Sequence, residues 1–156
     1  SVGNGVHEFN MNSLMEYTLS SENIYMESAG DIHAPGGLRK KYTPGTEKFL
    51  GYLEGKGSKL RYSGGFVPDI NQILMKGKGV FFYPALKDAP NGKLRLLFEL
   101  NPMAFLIEHA GGSASNGKIP ILDVKPDSLD HREPVYIGCS EDVMKAVEFL
   151  SNEESH

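Results

Sequence analysis

The segment from Leu94 to Ala110 limits what this chain can fold into more than any other part of it. Leu96, Leu97, Phe98, Leu100, Met103, Phe105, Leu106 and Ile107 place apolar side chains nearly all round a helix. A helix that is apolar on every side is buried between layers rather than laid on a surface. The run is shorter than the roughly 20 apolar residues a membrane span needs, and no other run approaches that length. Gly111-Gly112 marks its end, and Pro102 inside it removes one backbone donor, which predicts a kink or break. With 156 residues the chain is one ordinary domain, able to bury roughly 68–70% of its unfolded surface and so to house such a helix.

Around this segment the pattern alternates. Ser1–Gly5 reads as a loop and Val6–Asn10 as extended chain, after which Asn12-Ser13 predicts a short capped helix through Leu14, Met15, Tyr17 and Leu19. Ile24–Met26 predicts a short strand, and Asp31–Tyr42, with Pro35, Gly36, Gly37 and the basic Arg39-Lys40-Lys41, a loop. Thr43-Pro44 opens a helix carrying Phe49, Leu50 and Leu53, which stops at Gly55-Lys-Gly57. Leu60–Tyr62 predicts a strand, Pro68-Asp69 a second helix with Ile70, Ile73 and Leu74, and Val80–Tyr83 a buried strand. Asn91-Gly92 marks a reversal, strands follow at Ile119–Val124 and Val135–Cys139, and Ser140 caps a final helix. Strands alternating with helices give a layered α/β domain.

Composition excludes several functions. Sixteen basic against 20 acidic residues, a net charge of -4, leave no overall positive field for nucleic acid. The single Cys139 excludes an internal disulfide or a multi-thiolate zinc site, and ending an apolar strand it reads as a core residue. The five histidines (His7, His33, His109, His131 and His156) show no paired ligand spacing, and Asp123, Asp127, Asp130 and Glu133 read as a solvated loop. No signal-peptide pattern opens the chain, so secretion is not expected. The glycine-lysine stretch Gly51–Ser58 follows a helix and lacks the spacing of a nucleotide phosphate loop, so it reads as a helix stop.

Three places carry chemistry. Glu99 sits among apolar neighbours, where a carboxylate must be paired, protonated or bound to a metal; Arg95, four residues earlier, offers the pair, and the residues alone leave both readings open. Lys93 and Arg95 place two cations at a helix start, an arrangement that suits an anion held there with backbone N–H groups. Arg61 and Tyr62 precede Gly64-Gly65, a fork-shaped donor beside glycines that permit close backbone approach, and this is a second candidate anion site. Incidental surface cations remain the alternative at both.

The string Asn91-Gly-Lys-Leu-Arg-Leu-Leu-Phe-Glu-Leu-Asn-Pro-Met-Ala-Phe-Leu-Ile-Glu-His-Ala-Gly-Gly112 closely resembles the C-terminal half of the fructose-1,6-bisphosphatase family. Ala34-Pro-Gly-Gly-Leu-Arg39, followed by Leu60-Arg-Tyr-Ser-Gly-Gly-Phe-Val-Pro-Asp-Ile-Asn-Gln-Ile73, is more similar to its sedoheptulose-1,7-bisphosphatase branch, whereas Tyr83-Pro-Ala and Asn101-Pro-Met-Ala resemble the fructose branch. The resemblance runs from about Gly5 to about Leu150. It implies a mixed sheet flanked by helices, the second half of the sugar-bisphosphatase fold, with residues 1–156 as the C-terminal sugar-phosphate-binding domain. It also implies hydrolysis of the 1-phosphate of a ketose bisphosphate with Mg2+, most favourably sedoheptulose 1,7-bisphosphate, with fructose 1,6-bisphosphate as alternative or second substrate. Glu99 would be a metal ligand, Arg61, Tyr62, Gly64, Gly65, Tyr83 and Lys93 would hold the sugar and its distal phosphate, and Arg95 would lie near the reacting phosphate. In family dimers the match to Arg61 reaches into the neighbouring subunit's site, so a homodimer or homotetramer is implied, in cytoplasm or plastid. The family's other metal ligands lie in upstream acidic segments that do not occur here, so the chain alone is expected to be inactive, and a silent sugar-phosphate-binding module is the competing reading.

Overall fold

A computed structural model describes residues 5–153. The loop expected over Ser1–Gly5, all but Gly5, and His156 lie outside the described residues. The strands are β1 (Val6–Met11), β2 (Tyr17–Ile24), β3 (Ile32–Pro35), β4 (Lys59–Leu60), β5 (Val80–Tyr83), β6 (Leu94–Arg95), β7 (Ser113–Ser115), β8 (Arg132–Glu133) and β9 (Val135–Gly138). The helices are α1 (Pro44–Gly55), α2 (Phe66–Lys76), α3 (Asn101–His109) and α4 (Ser140–Ser151).

The centre is a five-stranded mixed sheet in the order β4-β3-β5-β9-β7. β3 is parallel to β4 and β5, while β9 runs antiparallel to β5 and β7. Both faces are covered, so the middle strands are buried up to their last residues and side chains sort by the two-residue period alone. Phe81 of β5 and its register partner Ile137 of β9 point to one core, with Ile70 and Ile73 of α2 and Ala104 and Ile107 of α3. Phe82 and its partner Tyr136 point to the other, with Phe49 and Leu53 of α1 and Val143 and Ala146 of α4. In that second core the Phe82 and Tyr136 rings stack at 5.8 Å and Phe49 meets Phe82 edge-on at 5.3 Å. The buried Tyr136 hydroxyl finds Thr46 Oγ1 at 3.0 Å, as a polar group in a core must. The layered α/β architecture expected from the sequence, with a mixed sheet flanked by helices, is the one observed.

Several local expectations are corrected. Asn12 does not cap a helix. Its Oδ1 accepts the N–H groups of Leu14 and Glu16 at 2.9 and 3.0 Å, closing a turn with Met15 at positive φ, and Val6–Ile24 forms the β1–β2 hairpin instead. The strand expected at Ile24–Met26 ends at Ile24. The Asp31–Tyr42 loop contains β3, whose Pro35 sits at the strand end where its missing N–H costs no ladder bond. Of Leu60–Tyr62 only Leu60 belongs to β4. The strand expected at Ile119–Val124 is a short 3-10 turn, and the sheet's edge is the more polar Ser113–Ser115.

The apolar run beginning at Leu94 is not one all-buried helix. Leu94 and Arg95 are strand, Leu96–Leu100 wind as a π-turn, and the α-helix begins at Asn101 with Pro102 in its first turn. In an uninterrupted α-helix the residue at 102 would donate to the carbonyl four residues back. Proline cannot, and the wider turn upstream, with Asn101 N–H donating to the Leu96 carbonyl, absorbs the loss. Leu96, Leu100, Ala104 and Ile107 make one buried stripe, whereas Phe98 is exposed.

Candidate functional site

Three parallel strands, β3, β4 and β5, finish at the same end of the sheet, and β9 begins there opposite Tyr83. Open α/β sheets hold ligands outside the carboxyl ends of their strands. The candidate residues collect here because each follows one of those ends. Gly36 follows β3, Arg61 and Tyr62 follow β4, and Tyr83 closes β5. The β6–β8 ribbon, which leads through Pro134 into β9, delivers Lys93 and Arg95 to this end.

Tyr83 is the hub. Lys93 Nζ stands over its ring at 6.0 Å, a cation–π contact. The Gly36 backbone lies against the other aromatic atoms, so closely that a Cβ there would sit 2.3 Å from Tyr83 Cδ2. Gly36 is fixed on both sides: its N–H donates to the Phe82 carbonyl at 2.7 Å, and its carbonyl accepts the buried Tyr42 hydroxyl at 2.7 Å. Burial pushes the Tyr42 phenol up to about 12, with Tyr62, Glu47 and Tyr83 adding to the shift. The Tyr62 phenol is also raised, first by burial and then by Tyr83 and Asp69, so both remain neutral hydroxyl groups across physiological pH.

The Arg61–Gly65 turn is set by the start of α2. Gly64 takes a positive φ of 91°, Gly65 is the N-cap, and the Asp69 side chain reaches back to accept Ser63 N–H at 2.9 Å. Asp69 is buried, and its Oδ2 has no partner among the described residues. Arg61 stays apart from Lys93: its Nη1 donates to the Leu60 carbonyl at 2.8 Å, beside the sheet's β4 edge.

Arg95 and Glu99 form the second group. Glu99 Oε2 accepts the Arg95 backbone N–H at 2.7 Å and approaches Arg95 Nε at 3.4 Å. The carboxylate therefore caps the π-turn as well as pairing with the guanidinium, and at 30% exposure it is not the buried acid expected from its neighbours. Glu99 is thus ion-paired with Arg95. Among the described residues no group of three or more His, Cys, Asp or Glu is arranged to hold a metal. The residues present thus do not make a magnesium centre; Glu99 could contribute one carboxylate to a centre completed from elsewhere.

The sequence did not mark Asp69 or Tyr42, which fix the Arg61–Gly65 turn and Gly36. An acid four residues after a Gly-Gly pair, on the first turn of a helix, was the available signal for Asp69. Gly51–Ser58 is the end of α1 and its turn, and Cys139 is a buried thiol receiving the Gly79 N–H at 3.1 Å. No helix among the described residues is long and apolar enough to cross a membrane.

A mixed sheet between two helical layers, with tyrosines and cations gathered at the carboxyl ends of its parallel strands, defines a layered α/β domain of the kind that holds small anionic ligands at a strand-end site. The family profile described as "Fructose-1-6-bisphosphatase, C-terminal domain" matches residues 26–151. The chain belongs to the fructose-1,6-bisphosphatase family and corresponds to its C-terminal domain. It is 72% identical over 151 residues to a Pelobacter propionicus protein named "Fructose-1,6-bisphosphatase class 1", covering 97% of this chain and 47% of that protein. A protein of the same name from Geobacter sulfurreducens is 72% identical over 150 residues, 96% of this chain and 48% of its own length. One from Crocosphaera subtropica is 44% identical over 157 residues, 99% of this chain and 44% of its own length. The chain thus spans about half the length of the curated relatives it matches.

Proposed function

We propose that this chain is the sugar-phosphate-binding half of a phosphatase that removes the 1-phosphate from a ketose bisphosphate. The observation that carries the reading is the Lys93–Tyr83 contact, at the same sheet end as Tyr62 and the Arg95–Glu99 pair. An ammonium over one phenol, with a second neutral phenol at the same sheet end, suits a phosphate joined to a polyhydroxyl chain. Lys93 would hold the distal phosphate as a point charge, while Tyr62 and Tyr83 donate hydroxyls and pack against the sugar. Arg95, oriented by Glu99, would face the phosphate that leaves, where its guanidinium offsets negative charge developing on the oxygens as the phosphorus–oxygen bond breaks. Arg61, beside the sheet's β4 edge, would serve a neighbouring copy in the homodimeric or homotetrameric assembly the resemblance implies.

The relatives' name favours fructose 1,6-bisphosphate as substrate. The Ala34–Arg39 segment, more similar to the sedoheptulose-1,7-bisphosphatase branch, supports sedoheptulose 1,7-bisphosphate as a further substrate. We infer the fructose substrate first and the seven-carbon sugar second. A divalent metal, with Glu99 as one ligand and the remaining ligands outside the described residues, is part of the same proposal. The bacterial relatives support a cytoplasmic rather than a plastid setting.

The test is turnover of both sugars by the full-length protein containing this chain. Release of phosphate from either supports the reading, with the ratio of kcat/KM assigning preference. Inactivity on both overturns it and leaves the silent binding module.

A further inference from the structure

The segment Asp127–Pro134 runs beside β6, the strand that contains Arg95 and directly follows Lys93. Leu94 pairs with Glu133 and Arg95 with Arg132, and the buried Leu96 donates its N–H to the His131 carbonyl at 2.8 Å. The Arg132 guanidinium donates to the Lys93 carbonyl. Gly92 lies so near the Glu133–Pro134 peptide that a Cβ on it would be 2.5 Å from three of its backbone atoms. The position of β6 is therefore set by this segment.

The segment in turn is gathered around one imidazole. His131 is 14% exposed, with Nε2 at 2.9 Å from Glu133 Oε1 and Nδ1 at 3.0 Å from Asp127 Oδ1. The Asp127 backbone N–H also points at Nδ1, at 3.2 Å. The two contacts at Nδ1 exclude each other. A neutral ring with its proton on Nε2 accepts the Asp127 amide, whereas an imidazolium donates to the Asp127 carboxylate. Glu133 is anchored independently, its Oε2 accepting Asn116 Nδ2 at 3.1 Å.

We propose that His131 is a pH-dependent positioning residue, whose protonated ring bridges Asp127 and Glu133 and thereby fixes β8 against β6, and with it Lys93 and Arg95. The proposal rests on the function assigned above to β6. His131 itself touches none of the candidate ligand-binding side chains. The charges facing the ring are Asp127 and Glu133, with Asp130 and Arg132 on the same segment and, across from it, Arg95 on β6 and Lys93 just before it. The Glu133 hydrogen bond chiefly holds the imidazole above its ordinary value, partly opposed by burial and aided by Asp127. A raised folded value means that the tie is complete below the ordinary imidazole range and is lost as pH rises through the raised one.

Two NMR measurements on the full chain test this: the His131 ring titration, and exchange of the Leu96 amide at each pH relative to the same amide in His131→Gln. Expected is a ring that titrates above its ordinary value, and a Leu96 amide protected about twofold to fivefold more than in the variant while the ring is charged. That protection falls to parity as the ring deprotonates, and Asp127→Asn lowers the titration. An unshifted titration, or protection that ignores it, overturns the proposal; the ring titration of the unmutated chain decides even where a variant fails to fold. Fructose 6-phosphate binding at the two pH extremes separates the readings. Protection that follows the titration without sugar-phosphate binding at either pH supports the tie and overturns the function assigned to β6.

Discussion

Replacing Gly36 with alanine probes the contact on which the Tyr83 site is built. Gly36 has no positive φ, so alanine meets no backbone penalty, and the effect is steric. The added Cβ would lie 2.3 Å from Tyr83 Cδ2 and 2.9 Å from Cε2, so ring or strand must retreat by about 1 Å to reach ordinary van der Waals spacing. The strand cannot move freely, because Gly36 is bonded to Phe82 and Tyr42. Tyr83 is half-buried and must yield, and overpacking of this sort costs about 1–3 kcal/mol. A double-mutant cycle by urea denaturation measures it directly. Gly36→Ala should destabilise the wild-type chain by that amount and cost little in a Tyr83→Ala background, where the ring is gone. The same displacement moves Tyr83 from beneath Lys93, so sugar-phosphate affinity should fall with Gly36→Ala alone. A penalty of equal size in both backgrounds would refute the reasoning, because it would place the strain in the backbone rather than the ring.

Asp142 is fully buried, and its two oxygens accept the Gly30 N–H at 2.9 Å and the Lys56 ammonium, joining α4, the end of α1 and the approach to β3. Asp142→Ala should cost about 2–4 kcal/mol in denaturant unfolding, below the full penalty for a broken buried pair because Lys56 can reach water, and Asp142→Asn should cost less. Cys139, with its thiol pushed up to about 11 by burial, should resist aromatic disulfide reagents at mildly alkaline pH until denaturant is added. Because that folded value lies above the thiol's ordinary one, its contribution to stability should be complete below about pH 9 and decline as pH rises towards 11, an effect absent in Cys139→Ala.

The parts of the fold legible in the sequence are those where local chemistry and burial agree. α1 begins at Pro44 behind a Thr43 cap and α2 ends at a positive-φ Gly77, as their capping residues require. β5 is an unbroken Val-Phe-Phe-Tyr run because both of its faces are covered. The β1–β2 hairpin was hidden because Asn12 closes turns and caps helices with the same side-chain oxygen, and only the pairing partner distinguishes them. β3 was hidden by Pro35 and the glycines after it, and β7 by its serines; tertiary pairing overrides weak propensity at both. In the site, Lys93, Arg95 and Glu99 were legible from spacing because β6 and the π-turn hold them within one short stretch. That Tyr62 and Tyr83 share a neighbourhood depends on β4 and β5 flanking β3, a long-range arrangement that no local pattern encodes.

Sugar-phosphate binding at the strand-end site is tested by titrating the isotopically labelled chain with fructose 6-phosphate and mapping the amide and side-chain shifts. Saturable changes are expected, confined to Tyr62–Gly65, Gly36, Tyr83 and Lys93–Arg95, and abolished by Lys93→Ala while the remaining spectrum stays folded. Saturable binding mapped instead to the groove between α3 and α4 lined by Ile119, Leu122 and Met144, or binding that survives Lys93→Ala unchanged, would contradict this expectation.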